Sequence, residues 1–278
     1  MNGDRSLNCE IVLTRSGAPA VVDRNTGEVM HPVVGPVVEA GQLYVEPSRL
    51  VQRLQEGSSG ALVLADVGLG AGSNAIAAFQ AAHRLPAPCR RLEIVSFDRS
   101  LQAVECVLAS ENAAAFGVDE HVAVALRALL SRGAYEDERV AWRLRVGTLP
   151  ATLFDEPEAS VDVVFWDPFS PKVNGELWSI ASFRALHRLC RKGVTVHTYS
   201  RSTSVRCAFL LAGFAVGVGV TTGDGKETTI AALDPEALSQ PLDGRFLQRL
   251  SRSSAALPVD APADAVAKLV ASPQFLPG

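Results

Sequence analysis

Ala61-Leu62-Val63-Leu64-Ala65-Asp66-Val67-Gly68-Leu69-Gly70-Ala71-Gly72-Ser73-Asn74 decides the fold. An apolar run leads to an acid, three glycines follow at alternate positions, and a helical pattern begins. A short apolar run closed by a turn reads as a buried strand. Gly68 and Gly70 permit positive φ and close approach of backbone to a ligand, and Ser73 or Asn74 is suited to start the helix. The spacing is G-x-G-x-G, not the G-x-G-x-x-G of dinucleotide sites. A tight strand-to-helix turn with no ligand is the bland alternative, because short glycine motifs recur by chance.

On both sides of this segment the chain continues in a readable rhythm. Upstream, residues 9–24 read as a hairpin with a turn at Ser16-Gly17-Ala18-Pro19. Asn25-Thr26-Gly27 is a second turn, and Ser48 is placed to cap a short helix through Leu54. Downstream, strands at 61–66, 92–97, 142–146, 161–166 and 193–199 alternate with helices at 73–84, 100–115, 119–131, 176–191 and 202–212. Such alternation predicts right-handed crossovers and a mostly parallel sheet. Strands near 214–220 and 227–233 predict an antiparallel C-terminal hairpin. The expected organisation is an N-terminal hairpin and substrate-side segment (1–60), an α/β domain (61–233) and a C-terminal tail (234–278).

Composition narrows the class. The chain has 278 residues, 47% hydrophobic and 20% charged, enough for a substantial core. The formal net charge of -4 is not that of a dedicated duplex-DNA binder. Cys9, Cys89, Cys106, Cys190 and Cys207 contain no C-x-x-C pair and read as reduced thiols of a cytoplasmic protein. The five histidines are scattered and show no metal spacing, so no metal is expected. No signal peptide and no apolar run of about 18 residues is present, so no membrane partner is expected.

In open α/β sheets ligands bind beyond the carboxyl ends of the strands. Asp66, Asp98 and Asp167 fall there. Asp98 can take two ribose hydroxyls in a bidentate bond, or cap the helix that follows. Gly147-Thr148 ends the third strand. Asp167-Pro168-Phe169-Ser170-Pro171 forms a rigid loop, since proline restricts the chain and removes donors. A carboxylate there suits an amine nucleophile, holding it and accepting its proton.

The acid two residues before the first glycine resembles motif I of S-adenosylmethionine-dependent methyltransferases. The longer pattern resembles the MnmC/MnmD-type tRNA methyltransferases. It comprises Asp66 through Asn74, Asp167-Pro-Phe-Ser-Pro-Lys-Val-Asn-Gly-Glu-Leu-Trp178, Thr198-Tyr-Ser with Val205-Arg206, and Ala212-Gly-Phe214. Gly27-Glu28-x-Met-His31-Pro and Gly35-Pro-x-x-Glu39-Ala match the family's N-terminal segment. The resemblance implies a Rossmann-like class I fold, the cofactor S-adenosyl-L-methionine, and methylation of the amine of 5-aminomethyl(-2-thio)uridine at the tRNA wobble position. It resembles the stand-alone methyltransferase form, without the FAD-dependent oxidase domain of bifunctional relatives, acting on the anticodon region of tRNA and not on DNA.

Residue by residue, the resemblance places Asp167 at the acceptor amine. It places Asp66, Gly68, Gly70, Gly72, Asn74, Asp98, Gly147 and Thr148 at the cofactor. Glu39, His31, Phe169, Trp178, Arg206 and Lys226 fall on the substrate side, although His31 also reads as a packed loop residue and Trp178 as core. Two departures stand out. The family's Gly-Lys-Arg-Glu-Met is here Gly225-Lys226-Glu227-Thr228-Thr229, and Thr148 replaces the third-strand acid. A small-molecule N-methyltransferase or an aminopropyl-transferase-like enzyme on the same fold is the competing expectation.

Overall fold

The computed structural model describes residues 8–14, 16–30, 35–57, 60–222, 225–250 and 257–276. The decisive segment forms β3 (Leu62–Val67), whose six residues are all buried. Burial on both faces is what a central parallel strand requires, and it explains a continuous apolar run rather than an alternating one. β3 pairs in parallel with β4 (Leu92–Asp98) on one side and β7 (Val161–Trp166) on the other. The eight-stranded sheet has the order β5-β6-β4-β3-β7-β8-β10-β9. The five strands from β6 (Val140–Val146) to β8 (Cys190–Thr198) are parallel. β9 (Ala215–Thr221) and β10 (Glu227–Ala232) form the expected antiparallel hairpin. β5 (Ala134–Glu136), on the other edge, is a short antiparallel strand absent from the strands expected from the sequence. β1 (Cys9–Leu13) and β2 (Pro19–Asp23) make a separate hairpin.

Helices cover both faces. One face carries α2 (Leu50–Gln55), α3 (Ser73–His83), α4 (Gln102–Leu108) and α5 (Glu120–Arg132); the short α1 (Pro36–Ala40) lies beside α3. The other carries α6 (Ile180–Leu189), α7 (Thr203–Leu211), α8 (Gly244–Leu250) and α9 (Ala265–Val270). α3 packs through Ala75, Ala78 and Ala82, whose small side chains let it lie close to the sheet. α6 and α7 meet through Phe183 and Phe209, stacked at 3.7 Å between centroids, with Trp166 edge-on beneath.

Local sequence sets the ends. Asp119 accepts from Val122 N at the start of α5 and Gly133, at φ 72, ends it. Ser179 accepts from Ser182 N at the start of α6. These are the oxygen cap and left-handed glycine stop that helix ends favour. Elsewhere the expected elements shorten. The helix expected over 100–115 breaks into α4 and a 3-10 turn at Ala113–Phe116, and the one expected over 176–191 into a 3-10 turn at Gly175–Trp178 and α6. Ser48 does not cap α2; its hydroxyl donates to Val45 O. The C-terminal segment packs on the main core through Phe246, Leu250 and Leu269, and Gln274 bonds both the N–H and the carbonyl of Val216.

Candidate active site

A cavity of about 1070 Å³ opens at the carboxyl ends of the parallel strands. This is large for a site that holds one drug-sized ligand, and it leaves room for a cofactor and an acceptor side by side. Gly68, Leu69, Gly70, Ala71, Phe97, Asp98, Gly147 and Thr148 line one side. Asp167, Pro168, Phe169 and Ser170 line another, with Glu39, Tyr44, Tyr199, Arg201 and Lys226 around them.

The glycine loop has the backbone its sequence demands: φ is 88 at Gly68, 51 at Gly70 and 87 at Gly72. The need at Gly68 comes from inside the protein. A Cβ there would lie 2.6 Å from the Asp167 carbonyl oxygen and 2.8 Å from Pro168 Cα. The glycine loop and the Asp167–Pro171 loop therefore touch backbone to backbone. α3 starts without a side-chain cap: Gly72 occupies the N-cap, and neither Ser73 nor Asn74 fills that role. Asn74 instead donates through Nδ2 to Asp167 Oδ2 at 2.6 Å.

Asp98 closes β4 with both oxygens engaged, Oδ2 by Gly70 N at 2.9 Å and Oδ1 by Ser100 N at 3.1 Å. Burial raises its pKa, against the lowering pull of those N–H groups. It is not the cap of α4, which begins at Gln102 after Leu101. Asp167 is partly exposed in the cavity wall and its N–H bonds Val67 O at 2.8 Å. Burial pushes the neighbouring Tyr44 phenol well above its usual range, and the Asp167 carboxylate adds to that. Tyr199 is raised by the same two causes, and its hydroxyl donates to Pro168 O at 3.0 Å. Both phenols are thus neutral groups beside a carboxylate.

The N-terminal segment supplies a wall that the glycine loop could not foretell. Glu28 accepts from Ser170 N at 3.0 Å and also from Ser170 Oγ, tying the hairpin region to the Asp167 loop. Gly41–Val45 adopts the wide π-type helical winding, with Glu46 N bonded to Gly41 O at 3.0 Å. Such widened turns recur at functional sites; this one carries Tyr44. Glu28, Tyr44 and Tyr199 were given no site role from the sequence, although Glu28 lies in the Gly27-Glu28-x-Met-His31-Pro match. For Tyr199 the Thr198-Tyr-Ser match was a usable signal; for Tyr44 there was none.

Several expected site residues lie elsewhere. Asp66 does not line the cavity; it is 1% exposed beneath the loop and accepts from Ser96 Oγ at 2.7 Å. Ser96 in turn accepts from Trp142 Nε1 at 2.9 Å. A carboxylate inside a strand must find donors on a neighbouring strand, and this one does so on β4. Gly72 is behind the wall, where a Cβ would meet Ile76 Cδ1 at 3.3 Å. Trp178 is core, 3% exposed, and its Nε1 donates to the Phe169 carbonyl at 2.9 Å, so it supports the loop from below. Arg206 is buried, bonded to Thr228 O and Thr229 Oγ1, and burial lowers its pKa. His31 lies outside the described residues. Gly68, Gly70, Asp98, Gly147, Thr148, Asp167, Glu39, Phe169 and Lys226 line the cavity.

A parallel sheet with an acid at the end of β4, a glycine loop after β3 and an antiparallel final hairpin defines the class. Residues 118–234 match the family described as S-adenosyl-L-methionine-dependent methyltransferase. The chain thus has the fold, and over those residues the domain, of an S-adenosyl-L-methionine-dependent methyltransferase. Within that class it is similar to the tRNA 5-methylaminomethyl-2-thiouridine biosynthesis bifunctional protein MnmC of Methylibium petroleiphilum. The two are 30% identical over 245 residues, 84% of this chain and 36% of the relative. MnmC of Cupriavidus metallidurans is 29% identical over 236 residues, 81% of this chain and 34% of the relative. The chain thus spans about a third of the length of the curated relatives it matches. The solved structure of MnmC2 from Aquifex aeolicus aligns with 96% of this chain and 86% of its own, at a TM-score of 0.74 and 25% identity. The MnmC-type resemblance expected from the motifs is borne out. Among the described residues no helix is long and apolar enough to cross a membrane.

Proposed function

We propose that this methyltransferase acts on the amine of 5-aminomethyl(-2-thio)uridine at the wobble position of tRNA, giving the 5-methylaminomethyl product. The observation that carries the reading is Asp167. It stands where the glycine loop meets the Asp167–Pro171 loop, and it is held by Asn74 between two neutral phenols.

The residues present fit the cofactor. Asp98 offers a carboxylate for ribose hydroxyls, and Gly68–Ala71 with Gly147-Thr148 form a wall of backbone and small side chains. When bound, S-adenosyl-L-methionine supplies an electrophilic methyl group. Asp167 takes a proton from the acceptor ammonium, so that a nitrogen lone pair is free. That nitrogen would then be the nucleophile for the methyl group the cofactor supplies, and the surplus proton of the methylated amine would pass to solvent. Pro168, Phe169 and Glu39 confine the acceptor, and alignment in the cavity supplies most of the rate.

A second, smaller cavity of about 380 Å³ supports a nucleic-acid acceptor. It shares Arg201, Lys226 and Glu227 with the first and adds Arg206 and Arg249. Arg201, Lys226 and Arg249 beside the methyl-transfer cavity suit a phosphodiester backbone, whereas Arg206 is buried and bonded to Thr228 and Thr229. Arg249 comes from α8, which gives the C-terminal segment a part in docking.

The test is methyl transfer to tRNA that carries 5-aminomethyluridine, followed by digestion and mass spectrometry of the nucleosides. The methylaminomethyl nucleoside is expected with the parent protein and is lost with Asp167→Ala, which still binds cofactor. If the parent binds cofactor yet methylates no tRNA nucleoside, tRNA is the wrong acceptor and a small amine takes its place.

A further inference from the structure

Histidines that are far apart in the sequence converge near the amino ends of the parallel strands, away from the cavity. We propose that His83, His121 and Asp137 form a binding site for a divalent transition-metal ion. His83 ends α3, His121 lies in the first turn of α5, and Asp137 stands in the turn between β5 and β6. One donor atom from each lies within 4.8 Å of the others. His83 Nε2 is 2.9 Å and His121 Nε2 3.3 Å from the same oxygen, Asp137 Oδ2. Ligands bound to one ion at roughly 2.0–2.2 Å in tetrahedral array stand about 3.3–3.5 Å apart. The two His–Asp separations lie within about half an ångström of that spacing.

The surroundings orient each donor. His83 Nδ1 lies 2.9 Å from the Phe79 carbonyl, which can only accept, so Nδ1 carries a hydrogen. That leaves Nε2, the nitrogen that faces Asp137 Oδ2, as the ring's ligand atom. A carbonyl on the far nitrogen is the outer partner that metal-binding histidines use. Asp137 Oδ1 is taken by Arg139 N and Val140 N at 2.8 Å each, which fixes the carboxylate and leaves Oδ2 to the cluster. Tyr135 OH stands 2.8 Å from both His121 Nε2 and Asp137 Oδ2. Phe79 packs on both imidazoles, at 4.2 and 5.0 Å between centroids. The three side chains are 20%, 46% and 25% exposed, so an ion can reach them from solvent.

Two imidazoles and one carboxylate favour zinc, cobalt, nickel or copper over magnesium or calcium. None of the three lines the methyl-transfer cavity, so the ion's effect is to pin α3, α5 and the β5–β6 turn to one another. The competing arrangement is a second proton on His83, giving an imidazolium–carboxylate pair with no use for a metal.

The test is calorimetric titration of the chelator-treated full chain with zinc chloride, with cobalt chloride followed by visible absorption and magnesium chloride as control. One zinc per chain, a tetrahedral cobalt spectrum, a rise in Tm with zinc and no magnesium binding are expected. His121→Gln and His83→Gln should each weaken zinc by at least about tenfold, since even an outer partner's loss costs that much. The Tm rise should vanish, while circular dichroism and cofactor affinity match the parent. Absence of zinc binding to the parent overturns the site in favour of the protonated pair. Equal binding by the variants overturns it too, because the ion is then held elsewhere.

Discussion

Asn74 follows directly after the glycine motif and was expected at the cofactor, yet its amide is spent on Asp167. A hydrogen bond to a charged group is worth about 1.5–3 kcal/mol, or roughly 10- to 100-fold in rate if Asp167 is the working group. Asn74→Ala is expected to lower kcat by that factor and leave the cofactor Kd nearly unchanged. A matching loss in cofactor affinity would return Asn74 to the cofactor. Gly68 and Gly70 also separate at this scale. Both need positive φ, but only at Gly68 would a Cβ run into backbone; at Gly70 it meets the flexible Met30 side chain, with Sδ at 3.2 Å. Left-handed strain costs about 1–3 kcal/mol at either position. Gly68→Ala is expected to lower Tm further than Gly70→Ala and to abolish turnover by parting the two loops. Equal Tm losses would show that the contact with Asp167 and Pro168 is immaterial.

The strand and helix pattern was legible because the central elements bury apolar faces: β3 and β7 as apolar runs interrupted by one aspartate each, α3 as a stripe of alanines. What was illegible arises between elements. β5 is too short to carry a pattern and exists because β6 offers it a partner. The π-type winding that places Tyr44 has no sequence signature. The loop from Gly147 to Glu156 is similar. Arg143 and Arg145 lie on one side of β6 and both bond the Glu156 carboxylate, while Arg188 bonds the Leu153 and Glu156 carbonyls. Burial alone would raise the Glu156 pKa, but the bonds from Arg143 and Arg145 outweigh it and hold it below its usual 4.5. The folded pKa is therefore lower than the unfolded one. The stability this carboxylate contributes is present above about pH 4.5 and is lost as pH falls through the folded pKa. Glu156→Gln is expected to cost about 2 kcal/mol at pH 7, short of a fully buried pair because the arginines are partly exposed. The gap in Tm between parent and variant should close in acid; a gap constant with pH would refute the assignment.

At the scale of the whole molecule, the net charge of -4 conceals a local concentration of cations. Each phosphate neutralised by a lysine or arginine adds about one unit to the slope of log affinity against log salt. Lys226→Ala and Arg249→Ala are each expected to reduce the slope for tRNA binding by about one, with kcat at saturating tRNA unchanged. An unchanged slope in both would remove the phosphodiester backbone from this cleft. The missing arginine after Lys226 loses weight here, because Arg249 reaches the same cleft from α8.

The sequence by itself determined the parallel sheet, the glycine loop and the acids at the ends of β4 and β7, because these depend on local periodicity and on conformations only certain residues adopt. It also carried the resemblance, since those motifs are contiguous. Only the tertiary structure decided which polar groups meet. It buried Asp66, turned Asn74 toward Asp167, enclosed Arg206, brought Glu28 and Tyr44 to the cavity, and gathered His83, His121 and Asp137 from three separate elements. Backbone conformation responds to neighbours in the chain, whereas a polar side chain takes its partner from whatever the packing of distant segments brings within hydrogen-bond reach.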